Sequence, residues 1–326
     1  MQLKQCRRRN DAKIHQSKTN LATCLVYFLK FLGYNMVMLN IMVAPSTYSN
    51  HAEKIAKKIV KFLKTEHKEY SVYFFVNFAD FNSTAKELTE QMETDFAVIG
   101  DDFVLNNFLN NVKDVSKIKL GIIPLSGEDD FAKYLDLSEN PIQAIKTILN
   151  NKPEPVDYLI MNNSIVLNNI VIGASVELFE IYQKYKIKNL LTKKVASLKY
   201  ANKFEEFEIS IDTKQGKPKK EMIYELSIAN GGLLNGKHLN PLANVKDGLF
   251  NISYSTGLEP NKRKNYVLQF DFGNQIYNEH TKQLWQNNVT IKRPENENIK
   301  VMADGKISTC DELNVLIVEN GLKIFR

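Results

Sequence analysis

The sequence predicts an α/β N-terminal domain with an open, mostly parallel sheet, followed by a β-rich, sandwich-like C-terminal domain. Three observations carry this expectation. From Leu39 to about Asn151, apolar strand-like runs alternate with helical patterns. From Val156 onward, short alternating runs follow one another, separated by turn residues. The 326 residues are 44% hydrophobic and 25% charged, which supplies a core for about two domains and excludes global disorder.

The elements follow in order. Strands are expected at 39–43, 70–75, 95–99 and 119–124. Asn50 and Glu53 fit a capping-box spacing, and Ala52, Ile55, Ala56, Ile59, Phe62 and Leu63 form one apolar helical stripe. Ser83 is expected to cap a second helix running to about Met92. Ligands on such sheets bind at the carboxyl ends of strands, so the loops after Val43, Ile99 and Pro124 are the places to look. In the second domain, runs at 156–161 and 165–172 are joined by the turn pair Asn162-Asn163. A helical patch is expected over 176–204, and strands at 207–212, 223–229, 249–253, 289–292, 299–302 and 313–318. A helix-like interruption is expected at 260–285.

The net charge of +6 lies wholly in residues 1–40, where seven basic residues face one acidic residue. The neutral remainder gives no sign of a nucleic-acid partner. Cys6, Cys24 and Cys310 cannot make a disulfide framework, which suggests a cytoplasmic setting. The run from Leu21 to Leu39 has the length of a membrane span, but Lys30 sits in its middle and a strand follows at once. Residues 1–38 therefore read as a basic and apolar extension, either dispensable or a peripheral membrane-surface anchor. His51, His67, His238 and His280 show no paired ligand spacing for a histidine-held metal.

The loop residues carry the chemistry. Ala44-Pro45-Ser46-Thr47-Tyr48 follows the first strand, and Gly100-Asp101-Asp102-Phe103-Val104 follows the third. Ser126-Gly127-Glu128-Asp129-Asp130-Phe131-Ala132 follows the fourth. Asn230-Gly231, Pro241-Leu242-Ala243, Asp247-Gly248 and Asp304-Gly305-Lys306 come later. In this order and spacing the segments resemble the diacylglycerol kinase catalytic-domain family, which includes bacterial lipid kinases and is similar to sphingosine kinases. The likeness runs from about Leu39 to Phe325. It implies a fold like that of NAD and diacylglycerol kinases. Residues 39–155, joined by about 313–326, would form the nucleotide domain, and 156–312 the lipid-substrate domain.

The resemblance further implies ATP and Mg²⁺ as cofactors. The γ-phosphoryl would pass to a diacylglycerol-like lipid hydroxyl, with the lipid taken at a membrane surface and the protein cytoplasmic or peripheral at the inner membrane. Pro45, Ser46, Thr47, Gly100, Asp102, Ser126, Gly127, Asp130 and Asn230 would contact nucleotide. Asp304 would take the acceptor proton, and Asp247 would hold a structural Mg²⁺. Glycines at such loops let backbone N–H groups approach phosphates. An exposed sheet edge could support a homodimer.

Several positions depart from the family pattern. Asp101 and Phe103 replace glycines, Val104 replaces a threonine, Glu128 and Asp129 add carboxylates, and Lys306 replaces a glutamate. A carboxylate a few ångströms from a triphosphate is repulsive by ~1–4 kcal/mol. Hence a second expectation stands beside the first: a catalytically impaired relative that keeps the fold to bind lipid, nucleotide or a protein partner. Blander readings also stand. Asp102 or Asp130 could simply cap a helix, Asp304-Gly305 could be only a hairpin turn, and the lysines of 184–199 the wet face of a helix.

Overall fold

The computed structural model describes residues 39–90, 94–125, 129–185, 190–214, 216–234, 236–269, 272–294 and 297–326. The expectations for residues 1–38, and for Ser126 and Gly127, lie outside the described residues.

The N-terminal half is an α/β layer structure. Strands β1 (Leu39–Val43), β2 (Tyr70–Tyr73), β3 (Thr94–Ile99) and β4 (Ile118–Ile123) are parallel, in the order β2-β1-β3-β4. The apolar runs of β1, β3 and β4 are buried because helices cover the sheet, whereas the edge strand β2 is half-buried. Helix α1 (Asn50–Thr65) buries Ala52, Ile55, Ala56, Ile59 and Leu63, each Ile or Leu giving ~1.5–3 kcal/mol. Helix α2 (Phe78–Leu88) and helix α3 (Asp102–Leu109) meet through Phe78, Phe81, Phe103 and Phe108. The short α4 (Asp130–Tyr134) and α5 (Pro141–Asn150) follow β4. A Cβ on Gly121 would stand 2.3 Å from Ile148 Cδ1, so α5 lies directly on β4 only because that residue is glycine.

The remainder is mainly antiparallel. It comprises β5 (Pro153–Met161), β6 (Ser164–Val166), β7 (Asn169–Gly173), α6 (Ala174–Gln183), α7 (Leu190–Tyr200), β8 (Phe207–Asp212), β9 (Lys219–Ala229), β10 (Leu233–Leu234) and β11 (Lys237–His238). Then come β12 (Phe250–Thr256), α8 (Pro260–Gln269), β13 (Thr281–Gln286), β14 (Asn288–Lys292), β15 (Ile299–Ala303), β16 (Lys306–Cys310) and β17 (Glu312–Phe325). Strand β9 pairs with β8 through its first half and with β7 and β12 through its second. The strands enclose a core that includes Ile170, Ile209, Leu226, Ile252, Ile291 and Leu313. The 14-residue β17 pairs antiparallel with β14 and β5, then runs parallel to β4 at Lys323 and Ile324. Its Leu322, Ile324 and Phe325 join the N-terminal core.

Several expectations need correction. The N-cap of α1 is Ser49, not Asn50, and it makes no side-chain cap bond. The N-cap of α2 is Asn77, which accepts from Asp80 N; Ser83 lies inside the helix and its hydroxyl donates to the Asp80 carbonyl. The helix expected over 260–285 ends at Gln269, and Thr281–Gln286 is a strand paired with β12. The run 165–172 breaks at Leu167-Asn168, because the N–H groups there serve a buried carboxylate instead of a ladder.

Candidate functional site

The site is built at the carboxyl ends of β3 and β4, where they meet the β15–β16 hairpin. The hairpin turn is Asp304-Gly305, both at positive φ (44° and 77°), the signature of a two-residue type I′ turn. The turn reading holds, and the Asp304 side chain is buried. Asp304 Oδ2 accepts from Leu167 N (2.7 Å) and Asn106 Nδ2 (3.1 Å). Oδ1 accepts from Asn168 N (3.0 Å) and Asn169 N (3.3 Å). Those four donors occupy the roughly four lone-pair positions of a carboxylate. Burial pushes the Asp304 carboxyl up, against the downward pull of those bonds.

Asp102 opens α3, one turn before Asn106. Both its oxygens lie 3.2 Å from Phe131 N, at the start of α4. Burial first, then the neighbouring carboxylates of Asp130 and Asp304, raise its pKa well above the ordinary carboxylate range, and Asp129 adds to this. Asp130 and Asp129 are themselves buried. Asp130 Oδ1 accepts from Gly236 N (2.7 Å) in the β10–β11 hairpin, and Asp129 Oδ2 accepts from Leu125 N (2.6 Å). The structure thus brings Asp102, Asp130 and Asp304 into one crevice, with Asp129 alongside.

The remaining expected residues have other surroundings. In the first loop, Ser46 N and Thr47 N donate to the carbonyls of Phe75 and Val76, and the Thr47 hydroxyl also donates to Val76 O. The carbonyl of Pro45 accepts from Tyr48 N and Ser49 N. The N–H groups of this loop are committed within the protein. Gly100 N donates to Ile123 O, and a Cβ there would meet Val104 at 2.5 Å. Asn230 lies behind the 167–169 turn; its Nδ2 donates to Asp157 O and Leu167 O, while its Oδ1 is buried without a partner. Asp247 is exposed, with Oδ1 accepting from Leu249 N. Among the described residues no group of three or more His, Cys, Asp or Glu side chains is arranged to hold a metal.

Asp101 is the N-cap of α3, Oδ1 accepting from Val104 N at 3.0 Å. Its Oδ2 accepts from the Tyr48 hydroxyl at 2.6 Å. The Tyr48 ring stacks on Phe103 at 5.5 Å, and Phe78 meets both rings edge-on. The substituted loop is therefore closed by an aromatic cluster and capped by its own carboxylate.

Sequence reasoning missed Asn106, Asn168, Asn169 and Tyr48. The Asn168-Asn169 pair interrupting an apolar run was the one available signal. Tyr48 carried none, because its partner Asp101 is 53 residues away.

Residues 39–161 match the family model of the diacylglycerol kinase catalytic domain. A Staphylococcus carnosus protein named "Putative lipid kinase" is 32% identical over 164 residues, 48% of this chain and 52% of that protein. An Alcanivorax borkumensis protein named "Probable lipid kinase YegS-like" is 30% identical over 144 residues, 42% of this chain and 46% of that protein. The matches thus span about half the length of these curated relatives. The crystal structure of a putative diacylglycerol kinase from Bacillus anthracis shares the fold, with TM-score 0.71 at 19% identity, over 89% of this chain and 95% of that one.

Proposed function

We propose that the protein transfers the γ-phosphoryl group of ATP to a hydroxyl of a diacylglycerol-like lipid. The observation that carries this reading is the convergence of Asp102, Asp130 and Asp304, from separate elements, in one crevice. In the proposed division of labour, residues 39–155 with 313–326 bind nucleotide and 156–312 receive the lipid at a membrane surface. No helix among the described residues is long and apolar enough to cross a membrane.

Phosphoryl transfer asks the protein mainly for positioning and charge neutralisation. The acceptor oxygen attacks phosphorus, its proton passes to a carboxylate, and ADP leaves. Sequence reasoning assigned the proton to Asp304. Lone-pair counting favours Asp102, since Asp304 carries four donors whereas Asp102 carries the bond to Phe131 N. Asp304 then positions the 167–169 turn and, through Asn106, α3. Mg²⁺ is commonly held by one or two carboxylates plus substrate phosphates; here Asp130 would hold it, and the ion would neutralise phosphate charge. The expected structural Mg²⁺ at Asp247 gains no support from its exposed turn.

A second reading, a catalytically impaired relative, rests on the internally committed first loop and the Tyr48–Asp101–Phe103 closure. One experiment separates them. Purified protein is incubated with labelled ATP, Mg²⁺ and mixed bacterial lipids, beside Asp102→Asn and Asp304→Asn. Labelled lipid that disappears in Asp102→Asn supports the kinase. Absence of product, with no thermal shift by Mg-ATP, supports the impaired relative.

A further inference from the structure

The chain leaves β1 for β2 on one side and comes back to β3 on the other, so the order β2-β1-β3-β4 changes direction between β1 and β3. Open α/β sheets receive ligands in the crevice outside the carboxyl ends of such a strand pair. Tyr48 stands on the loop after β1 and Asp101 on the loop after β3, one on each bank of that crevice.

This surface is ill suited to phosphate. The N–H groups of Ser46, Thr47, Tyr48 and Ser49 all donate to carbonyls of the protein, so the loop offers an anion no nest of backbone donors. The Asp101 carboxylate repels an anion as well. The crevice presents an aromatic ring and an acceptor instead. Tyr48 keeps 43% of its surface exposed although Phe103 stacks on its ring at 5.5 Å and Phe78 meets it edge-on. The exposed Val76 is tied to the same loop, its carbonyl accepting from Thr47 N and Oγ1. Asp101 Oδ2 accepts from the Tyr48 hydroxyl at 2.6 Å, and Oδ1 from Val104 N at 3.0 Å. A carboxylate has roughly four acceptor positions, so these two bonds leave others open. Burial first, then Asp101, then the charges of Asp129 and Asp102 push the Tyr48 hydroxyl up. It therefore stays a donor, and the acidic crevice lies within electrostatic reach of its ring.

Resting on the phosphoryl-transfer reading, we propose that Tyr48 and Asp101 select a guanine base, so that a guanosine nucleotide is preferred to an adenosine nucleotide at this site. The base stacks on Tyr48, and its N1–H and exocyclic N2–H donate to the open positions of Asp101. Stacking tolerates every base, so the edge decides between them. Adenine sets an N1 lone pair beside its N6–H donor, and a lone pair facing a carboxylate is repulsive. The same Asp101 that repels phosphate thus attracts this base edge, and the triphosphate extends toward Asp102 and Asp130.

The test is calorimetric titration of the full chain with Mg-GDP and with Mg-ADP, without lipid. GDP is expected to bind about tenfold tighter or more, as one hydrogen bond to a charged group allows. Asp101→Asn keeps a helix-capping residue but presents one acceptor and one donor. It is expected to lose the GDP preference and to bind xanthosine diphosphate, whose 2-carbonyl replaces the amine, about tenfold tighter than the wild type does. A purely structural Asp101 would not produce that exchange. Tyr48→Leu is expected to weaken GDP and ADP alike, by about fivefold or more. Equal or tighter binding of ADP, an Asp101→Asn protein that still prefers GDP or gains nothing toward xanthosine diphosphate, undiminished GDP binding in Tyr48→Leu, or no GDP binding at all would overturn the proposal. The two readings fail separately. Guanine preference with no transfer of label from GTP or ATP to lipid would overturn the kinase reading and leave this one standing. Labelled lipid from ATP with no guanine preference would do the reverse.

Discussion

Asn106 Nδ2 lies 3.1 Å from Asp304 Oδ2 and 2.8 Å from the carbonyl of Ile165, so one amide on α3 ties the strand-tip helix to both the β15–β16 turn and β6. Asn110, one turn on, exchanges two further bonds with Ile165. The acidic crevice is thus held together by asparagines reaching across from the parallel-sheet half.

Removing that amide should be costly. Asn106→Ala deletes a donor to a buried carboxylate, while the Ile165 carbonyl keeps its bond from Asn110, and the expected loss is about 1–2 kcal/mol by urea denaturation. Asp304→Ala should lose about 3 kcal/mol or more, because three backbone N–H groups lose their acceptor. A loss below about 0.5 kcal/mol for either would show that these bonds exchange with water at little cost.

The closure over the third-strand loop is testable by unmaking it. Asp101→Gly costs a helix N-cap a few tenths of a kcal/mol to about 1 kcal/mol. It also withdraws a negative charge and the Tyr48 partner. We expect the thermal shift caused by Mg-ATP to increase in Asp101→Gly, and further in Asp101→Gly with Phe103→Gly. An unchanged shift would mean that the first-loop hydrogen bonds, not these two residues, control nucleotide access.

Asp102 sets a pH dependence of stability. A carboxyl whose pKa is raised on folding contributes stability that is fully present below its unfolded value and lost as pH rises through the folded value. Wild-type stability should therefore decline with rising pH from about 4 upward. Asp102→Asn should flatten the decline and be about 1–2 kcal/mol more stable near neutrality, while abolishing phosphoryl transfer. A steeper decline in the variant would contradict the crowding of carboxylates.

Gly231 offers a check on packing behind the crevice. A Cβ there would fall 2.1 Å from Asn168 Oδ1, on the residue whose N–H serves Asp304. Gly231→Ala is expected to destabilise by about 2 kcal/mol and to lower the turnover of any phosphoryl transfer by displacing the 167–169 turn. Wild-type melting behaviour would show that Asn168 swings aside.

Strands in both halves were legible where their signal is local. The runs at Leu39–Val43 and Phe207–Asp212 carry their own periodicity and end where the structure ends them. Thr281–Gln286 was misread because Leu284 and Trp285, among polar neighbours, give no clear period of two, and pairing with β12 decides its state. The carboxylates of the site were visible as motif positions. Their environment was not: whether Asp304 has a lone pair to spare depends on Leu167, Asn168 and Asn106, which are 136 to 198 residues away or nearly so.

Strand β17 has a consequence for biosynthesis. Among the described residues it alone covers the outer edge of β4, by way of Lys323 and Ile324, and its Phe325 belongs to the core begun at Leu39. On a ribosome adding ~5–20 residues per second, the nascent parallel sheet waits roughly 10–40 s with that edge bare while the antiparallel half is made. Exposed strand edges recruit foreign strands. Truncation just before Leu322 should therefore yield a chain that chaperones retain or that aggregates, even though every residue of the acidic crevice has already been synthesised.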